Sequence, residues 1–148
     1  MSTAHAVAVA VMFTWLGMVL AISFIEAPLK FRAPGVSLQI GLGIGRLVFR
    51  ALNTVEAVLA AVLLIAFGYR PPSATTVIAV GVVVVALAAQ LLVVRPRLSR
   101  RSDLVLSGPA ASTSDGPGRR SRAHYGYVAL ESVKVVGLIV GGVAVLAA

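Results

Sequence analysis

Three ionisable residues, Glu56, Glu131 and Lys134, stand inside long apolar runs of this sequence. If these runs cross a membrane, each charge costs ~2.5–3.5 kcal/mol at a helix centre on insertion scales, so each needs a partner or a function. Glu56 lies nine residues into a helix that starts at Leu47, and Lys134 nine residues into one that starts at Tyr125, which is ~13 Å along either helix. The sequence therefore predicts that Glu56 and Lys134 meet at one depth.

Polar residues recur along the last apolar run at spacings of three, four and three, within an arc of ~80° on a helix. They are His124, Tyr127, Glu131 and Lys134. A comparable stripe precedes Glu56 at Arg46, Arg50 and Asn53. We expect the two stripes to face each other, with Glu131 near Asn53 or Arg50. The predicted intramembrane polar cluster consists of Arg50, Asn53, Glu56, Tyr127, Glu131 and Lys134.

This cluster has two interpretations. Paired charges can fix how otherwise featureless helices assemble, in which case the cluster is a packing and register device. Carboxylates at the membrane midplane are also where transporters place proton and substrate sites, in which case the cluster is a proton-responsive or ion-responsive site. The sequence leaves both interpretations open.

The composition shows which elements must position these residues. The chain has 148 residues, of which 59% are hydrophobic and 12% charged, whereas soluble domains have about 25% charged residues. This length accommodates four spans of ~20 residues and little else. The net charge is +8, but most basic residues flank apolar runs, so we expect anionic lipid headgroups and not nucleic acid as the partner. The chain has no cysteine, which excludes disulfides and thiol chemistry.

The apolar runs predict a single all-α membrane domain over residues 1–148, a polytopic four-transmembrane-helix bundle. The helices are expected at about 4–25, 45–67, 74–94 and 124–147. The first run lacks the basic start and short apolar core of a signal peptide, so it is assigned as a helix. The segment 26–45 contains Pro28 and Pro34 and is expected to be an interfacial connection. The segment 95–123 is rich in Arg, Ser, Gly and Pro and is expected to be mobile.

The basic residues predict the orientation. The segment 95–123 carries seven Arg, and Lys30 and Arg32 lie in the segment 26–45. The positive-inside rule then places both segments in the cytoplasm and both termini outside. The excess of Arg over Lys, with abundant Ala, Val and Gly, favours a bacterial cytoplasmic membrane. Lys30, Arg32 and Arg46 are predicted contacts for lipid phosphate.

The second and fourth helices match at an offset of 78 residues. Ala51, Leu52 and Val55 recur as Ala129, Leu130 and Val133, while Glu56 falls on Lys134. The match predicts two hairpins that form a parallel repeat, since the first and third helices run in one direction and the second and fourth in the other. A chance match among common apolar residues is the alternative.

Several other patterns carry no chemistry. His5 and His124 are expected some 30 Å apart, at opposite membrane edges, so one haem cannot use both as axial ligands. The glycines at 41, 43 and 45 lack the context of a dinucleotide-binding motif. Ser132 is expected to bond to its own helix backbone. With no set of nucleophile, base and orienting group, we predict no metal, no cofactor and no enzymatic activity.

Short motifs spread over most of the chain resemble a family of four-helix membrane proteins. They are Trp15-Leu-Gly17, Ala-Pro-Leu-Lys-Phe at 27–31, Gly45-Arg-Leu-Val-Phe49, Arg95-Pro-Arg-Leu98 and His124. The resemblance is to the family of unknown function that includes eukaryotic transmembrane protein two-hundred-and-five. It implies a four-span integral membrane protein and carries over no catalytic or binding residue.

Two functions follow as expectations. The first is a small transport or permeation protein that uses the polar cluster. The second is a non-enzymatic interaction or assembly subunit that binds lipid or a membrane protein through its Arg-rich segment 95–123. A homodimer is a further possible partner, because four short helices enclose little volume.

Overall fold

The computed structural model describes residues 2–94, 96 and 122–148. Helix α1 (Thr3–Val19) continues through a π-helical segment Leu20–Glu26 and a last turn that ends at Arg32. Helix α2 spans Leu38–Tyr69, and helix α3 spans Ala74–Ala89 with a π-helical end, Gln90–Val94. Helix α4 spans Arg122–Leu146. Each helix contains a stretch long and apolar enough to cross a membrane, so the protein is an all-α, four-helix integral membrane protein.

The first connection is much shorter than the sequence predicted. The expected connection at 26–45 and the expected start of the second helix at residue 45 are both wrong, because only residues 33–37 separate α1 from α2. The π-helical segment before Pro28 lets α1 continue, with the Ala27 N–H bonded to the Ile22 carbonyl five residues back. Pro28 then lies in the first turn of the next helical stretch, where its missing N–H does least harm.

Ser37 begins α2 seven residues earlier than expected by accepting a hydrogen bond from the Ile40 N–H at 3.2 Å. Two glycines in the first turns of α2 make room for the end of α1. A Cβ atom on Gly41 would lie 2.3 Å from the Phe31 ring, and one on Gly45 would lie 2.8 Å from the Lys30 ammonium. These glycines therefore serve close packing within a helix.

The bundle has a consistent neighbour order. Helix α1 packs against α2 and α4, and α4 also packs against α3, whereas α2 and α3 touch only slightly. Gly137 allows the close approach of α3 to α4, because a Cβ atom there would lie 2.6 Å from Val83 Cγ2.

The outer surface of this bundle is apolar, unlike the surface of a water-soluble protein, and charged side chains are buried inside it. Large apolar side chains such as Ile65, Val85 and Leu92 face outward, where lipid would cover them, while Glu56 and Lys134 are fully buried. The apolar core around Met12, Trp15, Val19, Leu63, Val83 and Leu138 encloses that polar centre. In lipid, polar groups must find partners inside the protein, and the fold places them where partners exist.

Candidate functional site

Lys134 on α4 is the centre of a buried polar cluster. Its ammonium forms an ion pair with Glu56 Oε1 on α2 and lies 3.1 Å from Glu131 Oε1, one turn earlier on α4. The side chains of Lys134 and Glu56 are 0% exposed and that of Glu131 is 1% exposed. Glu56 and Lys134 thus meet as the sequence indicated, but the same ammonium also serves a second carboxylate.

The other two helices each supply one neutral hydrogen-bond donor. The Trp15 indole N–H on α1 donates to Glu56 Oε1 at 2.8 Å. The Gln90 amide on α3 donates to Glu131 Oε1, also at 2.8 Å. All four helices therefore contribute to one site. In each carboxylate, the oxygen that is paired with the ammonium also accepts a hydrogen bond from one neutral donor.

Three oxygens of this site are buried with no hydrogen-bond partner among the described residues. They are Glu56 Oε2, Glu131 Oε2 and Gln90 Oε1. A buried polar atom without a partner costs about 1–3 kcal/mol, so such atoms call for an explanation. Two carboxylates facing one ammonium also give the cluster one more negative than positive charge when both are ionised. The site is therefore short of one positive charge and of hydrogen-bond donors.

Trp15 and Gln90 were not among the residues predicted for the site. Gln90 is the only polar residue between Thr76 and Arg95, and Trp15 is the only tryptophan in the chain. Burying an unpaired amide in an apolar surrounding is costly, so a lone Gln in such a run was a usable signal for an intramembrane partner. Trp15 gave a weaker signal, because its indole packs as an apolar group in most settings.

The donor–carboxylate pairs of the two hairpins are related by an offset of 75 residues, whereas the sequence match between the second and fourth helices has an offset of 78 residues. Trp15 precedes its partner Glu56 by 41 residues, and Gln90 precedes its partner Glu131 by 41 residues. Glu131 therefore corresponds to Glu56 at an offset of 75, at which several buried positions also recur. The pairs of buried residues are Ala8 with Val83, Met12 with Leu87, Leu52 with Tyr127, and Leu63 with Leu138. The parallel repeat at an offset of 78 residues stays a prediction.

Three members of the predicted cluster lie away from the carboxylates' contacts. Arg50 is exposed, so it does not belong to the buried cluster. Asn53 and Tyr127 are buried and form a pair of their own, with the Tyr127 hydroxyl 3.5 Å from Asn53 Oδ1. Glu131 was expected near Asn53 or Arg50, and its hydrogen-bond and ion-pair partners are Gln90 and Lys134. Helix rotation turns Glu131 toward Gln90 on α3 instead.

The predicted lipid-phosphate contacts differ among themselves. The Lys30 ammonium bonds to Glu26 at 3.4 Å and lies 5.1 Å from the centre of the Phe49 ring, so it is already engaged inside the protein. Arg32 is exposed at the end of α1, and Arg46 is partly buried and has contacts within the protein. Arg32 is thus the best placed of the three for a lipid headgroup.

The remaining expectations have mixed outcomes. The Ser132 hydroxyl donates to the Val128 carbonyl at 3.0 Å, which confirms its bond to the helix backbone. His5 bonds to Ser2 at 2.9 Å. In the part of the chain that the structure describes, no three His, Asp or Glu side chains are grouped to hold a metal ion. The segment 97–121 and the side chain of His124 lie outside the described residues.

Apart from the buried cluster, the surface has a groove of about 540 Å³ between α3 and α4. Its walls are formed mainly by apolar side chains, including Ile78, Val82, Val133 and Val136. An acyl chain suits such walls, whereas a polar substrate would find few partners there. The chemistry of this protein is therefore concentrated in the cluster around Lys134.

Comparison of the chain with protein-family models, curated proteins and solved structures gives no match. The resemblance suggested by the short motifs stays a prediction. The function has to be argued from the site.

Proposed function

We propose that this integral membrane protein is a small transport or permeation protein whose path for protons or small cations passes through the buried cluster. The observation that carries the proposal is that two fully buried carboxylates, Glu56 and Glu131, share the single ammonium of Lys134. A device for helix registration needs only one matched pair. A second carboxylate inside a membrane bundle adds a cost that a transport site would explain.

The local helix geometry also supports this proposal. Both helices that supply a neutral donor change from α-helical to π-helical near that donor, α3 at Gln90 itself and α1 at Leu20, five residues after Trp15. Such π-helical segments occur frequently at functional sites. The cluster is closed in this conformation, so transport requires one hairpin to move against the other, as in proteins that alternate access around a central site.

The test is flux through the purified full chain in liposomes. Vesicles containing a fluorescent pH indicator or a fluorescent sodium indicator are exposed to a gradient of the matching ion under a potassium diffusion potential. We expect flux above that of protein-free vesicles, lost in Glu131→Gln and retained in Glu26→Gln. Glu26 is the matched control because it is a carboxylate paired with a lysine in the same protein, but outside the buried cluster.

Equal flux in protein-containing and protein-free vesicles would contradict the proposal.

The second candidate function, a non-enzymatic subunit that binds lipid or a protein partner, is favoured by the seven Arg between residues 95 and 123. Deleting residues 100–120 separates the two. If the deletion abolishes binding to a partner or to anionic vesicles, and flux does not depend on Glu131, the second candidate is favoured. If the deletion leaves binding unchanged and flux depends on Glu131, the first candidate is supported.

A further inference from the structure

The contact between Gln90 and Glu131 is half of a possible reciprocal pair. The Gln90 amide N–H donates to Glu131 Oε1 at 2.8 Å. The other oxygen of each group, Gln90 Oε1 and Glu131 Oε2, is buried and has no hydrogen-bond partner among the described residues. Gln90 and Glu131 thus share one hydrogen bond, and each has one oxygen that accepts none.

A carboxylate only accepts hydrogen bonds, whereas a protonated carboxyl group donates one as well. A carboxamide both donates and accepts. A single proton on Glu131 would therefore turn its unused oxygen into a donor for the unused oxygen of Gln90. We propose that Glu131 holds a proton on Oε2 and donates it to Gln90 Oε1, which makes Glu131 the proton-binding residue of this site.

The charges in the cluster favour the same assignment. The ionisable groups that contact one another there are Glu56 from α2 and Lys134 and Glu131 from α4, while α1 and α3 contribute the neutral Trp15 and Gln90. A proton on one carboxyl group leaves one carboxylate and one ammonium, so the cluster becomes neutral. A buried group generally avoids an uncompensated charge by changing its protonation state.

The proton belongs on Glu131 and not on Glu56 because their neutral partners differ. The Trp15 indole has a donor and no acceptor, so a proton on Glu56 would find no partner there. Glu56 also accepts a hydrogen bond from the Lys134 ammonium, which favours its charged form. Glu131 has the neutral partner that can accept.

This inference deepens the proposed function and rests on it, because it names the proton as the ion that the transport site binds. Its test does not measure flux, so the two can fail separately. The full chain is reconstituted in lipid bilayers, and infrared spectra are recorded at neutral pH in H₂O and D₂O. A protonated carboxyl group gives a C=O stretching band, distinct from those of carboxylates and amides, which shifts in D₂O.

We expect this band in the wild type and in Glu26→Gln and its loss in Glu131→Gln. In Gln90→Met the band should move to higher frequency, because its hydrogen bond to the amide is gone. The absence of the band from the wild type, or its persistence in Glu131→Gln, would overturn the assignment.

A stability measurement keeps the test valid if a variant folds poorly. Gln at position 131 is uncharged and can donate to Gln90 Oε1, as protonated Glu131 would. The proposal therefore predicts the same unfolding midpoint for Glu131→Gln as for the wild type. A clearly lower midpoint would indicate that Glu131 is an ionised partner of Lys134 and would contradict the proposal.

Discussion

The two hairpins solve the burial of a carboxylate in different ways. In the hairpin of α1 and α2, Glu56 receives the Trp15 indole N–H and forms an ion pair with Lys134. In the hairpin of α3 and α4, Glu131 receives the Gln90 amide N–H and lies 3.1 Å from the same ammonium. The neutral donor precedes its carboxylate by 41 residues in both. The position is shared, but the chemistry of the donor is not.

That difference teaches how one ammonium can serve two carboxylates. Trp15 offers a donor alone and suits a permanently charged partner, whereas Gln90 offers a donor and an acceptor and suits a partner that gains and loses a proton. Under the proposal, Glu56 in the first hairpin keeps its charge in the ion pair with Lys134. Glu131 in the second hairpin is the carboxyl group whose protonation state changes. Four single substitutions and one double variant test this comparison, in order of decreasing expected loss of stability.

Lys134→Met should have the largest effect, because it removes the charge on which both hairpins depend. It leaves the buried Glu56 carboxylate without its cation, and breaking a buried pair in this way costs about 3–5 kcal/mol. The measurement is the free energy of unfolding in mixed micelles with a rising fraction of denaturing detergent. The double variant Glu56→Gln with Lys134→Met should regain most of the loss, since it restores neutrality.

Independent, additive losses from the two substitutions in that cycle would show that Glu56 and Lys134 do not act as a pair. The comparison between the hairpins would then have no common centre.

Removal of the neutral donors should have an intermediate effect. Trp15→Phe keeps an aromatic ring but removes a bond to a charged acceptor, for which we expect a loss of about 1.5–3 kcal/mol. Gln90→Met removes the two bonds that the proposal assigns between Gln90 and a neutral Glu131 carboxyl group, each of which contributes about 0.5–1.5 kcal/mol. The same unfolding experiment measures both variants. No loss of stability in Gln90→Met would contradict the reciprocal pair.

Glu26→Gln should have the smallest effect. Its partner Lys30 lies 3.4 Å away, and the Glu26 side chain is 32% exposed, so the carboxylate is partly solvated and the pair contributes about 0–1 kcal/mol. Unfolding of this variant provides the baseline for a carboxylate lost outside the centre of the bundle. A loss as large as that in Lys134→Met would mean that the end of α1 contributes as much to stability as the buried cluster.

The sequence predicted the parts of the site that depend on distance along a helix. Glu56 and Lys134 meet as predicted from their places in the apolar runs, at a rise of ~1.5 Å per residue. The helix that carries Glu56 nevertheless begins at Leu38 and not at Leu47, from which its depth was counted. The same reasoning misplaced Arg50, because membership in a buried cluster also depends on how a helix is rotated. Arg50 lies on the stripe drawn by spacing and is nevertheless exposed.

The start of α2 shows a second limit. Pro28 and the glycines at 41 and 45 have low helix propensity, which predicted an irregular connection. Packing reversed that preference, because the glycine positions receive Phe31 and Lys30 at distances that any side chain would block. Local preference is a weak determinant when a close tertiary contact depends on the same residue.

Four membrane-spanning helices with charges buried within them could be predicted from the sequence alone. Apolar length and the cost of a charge in lipid are properties of each segment, so neither depends on how the helices pack. Helix packing was needed to show that Trp15 and Gln90 complete the site and that Glu131 shares Lys134 with Glu56. Which polar groups meet depends on how four helices rotate and approach one another, and apolar packing over the whole bundle sets that arrangement.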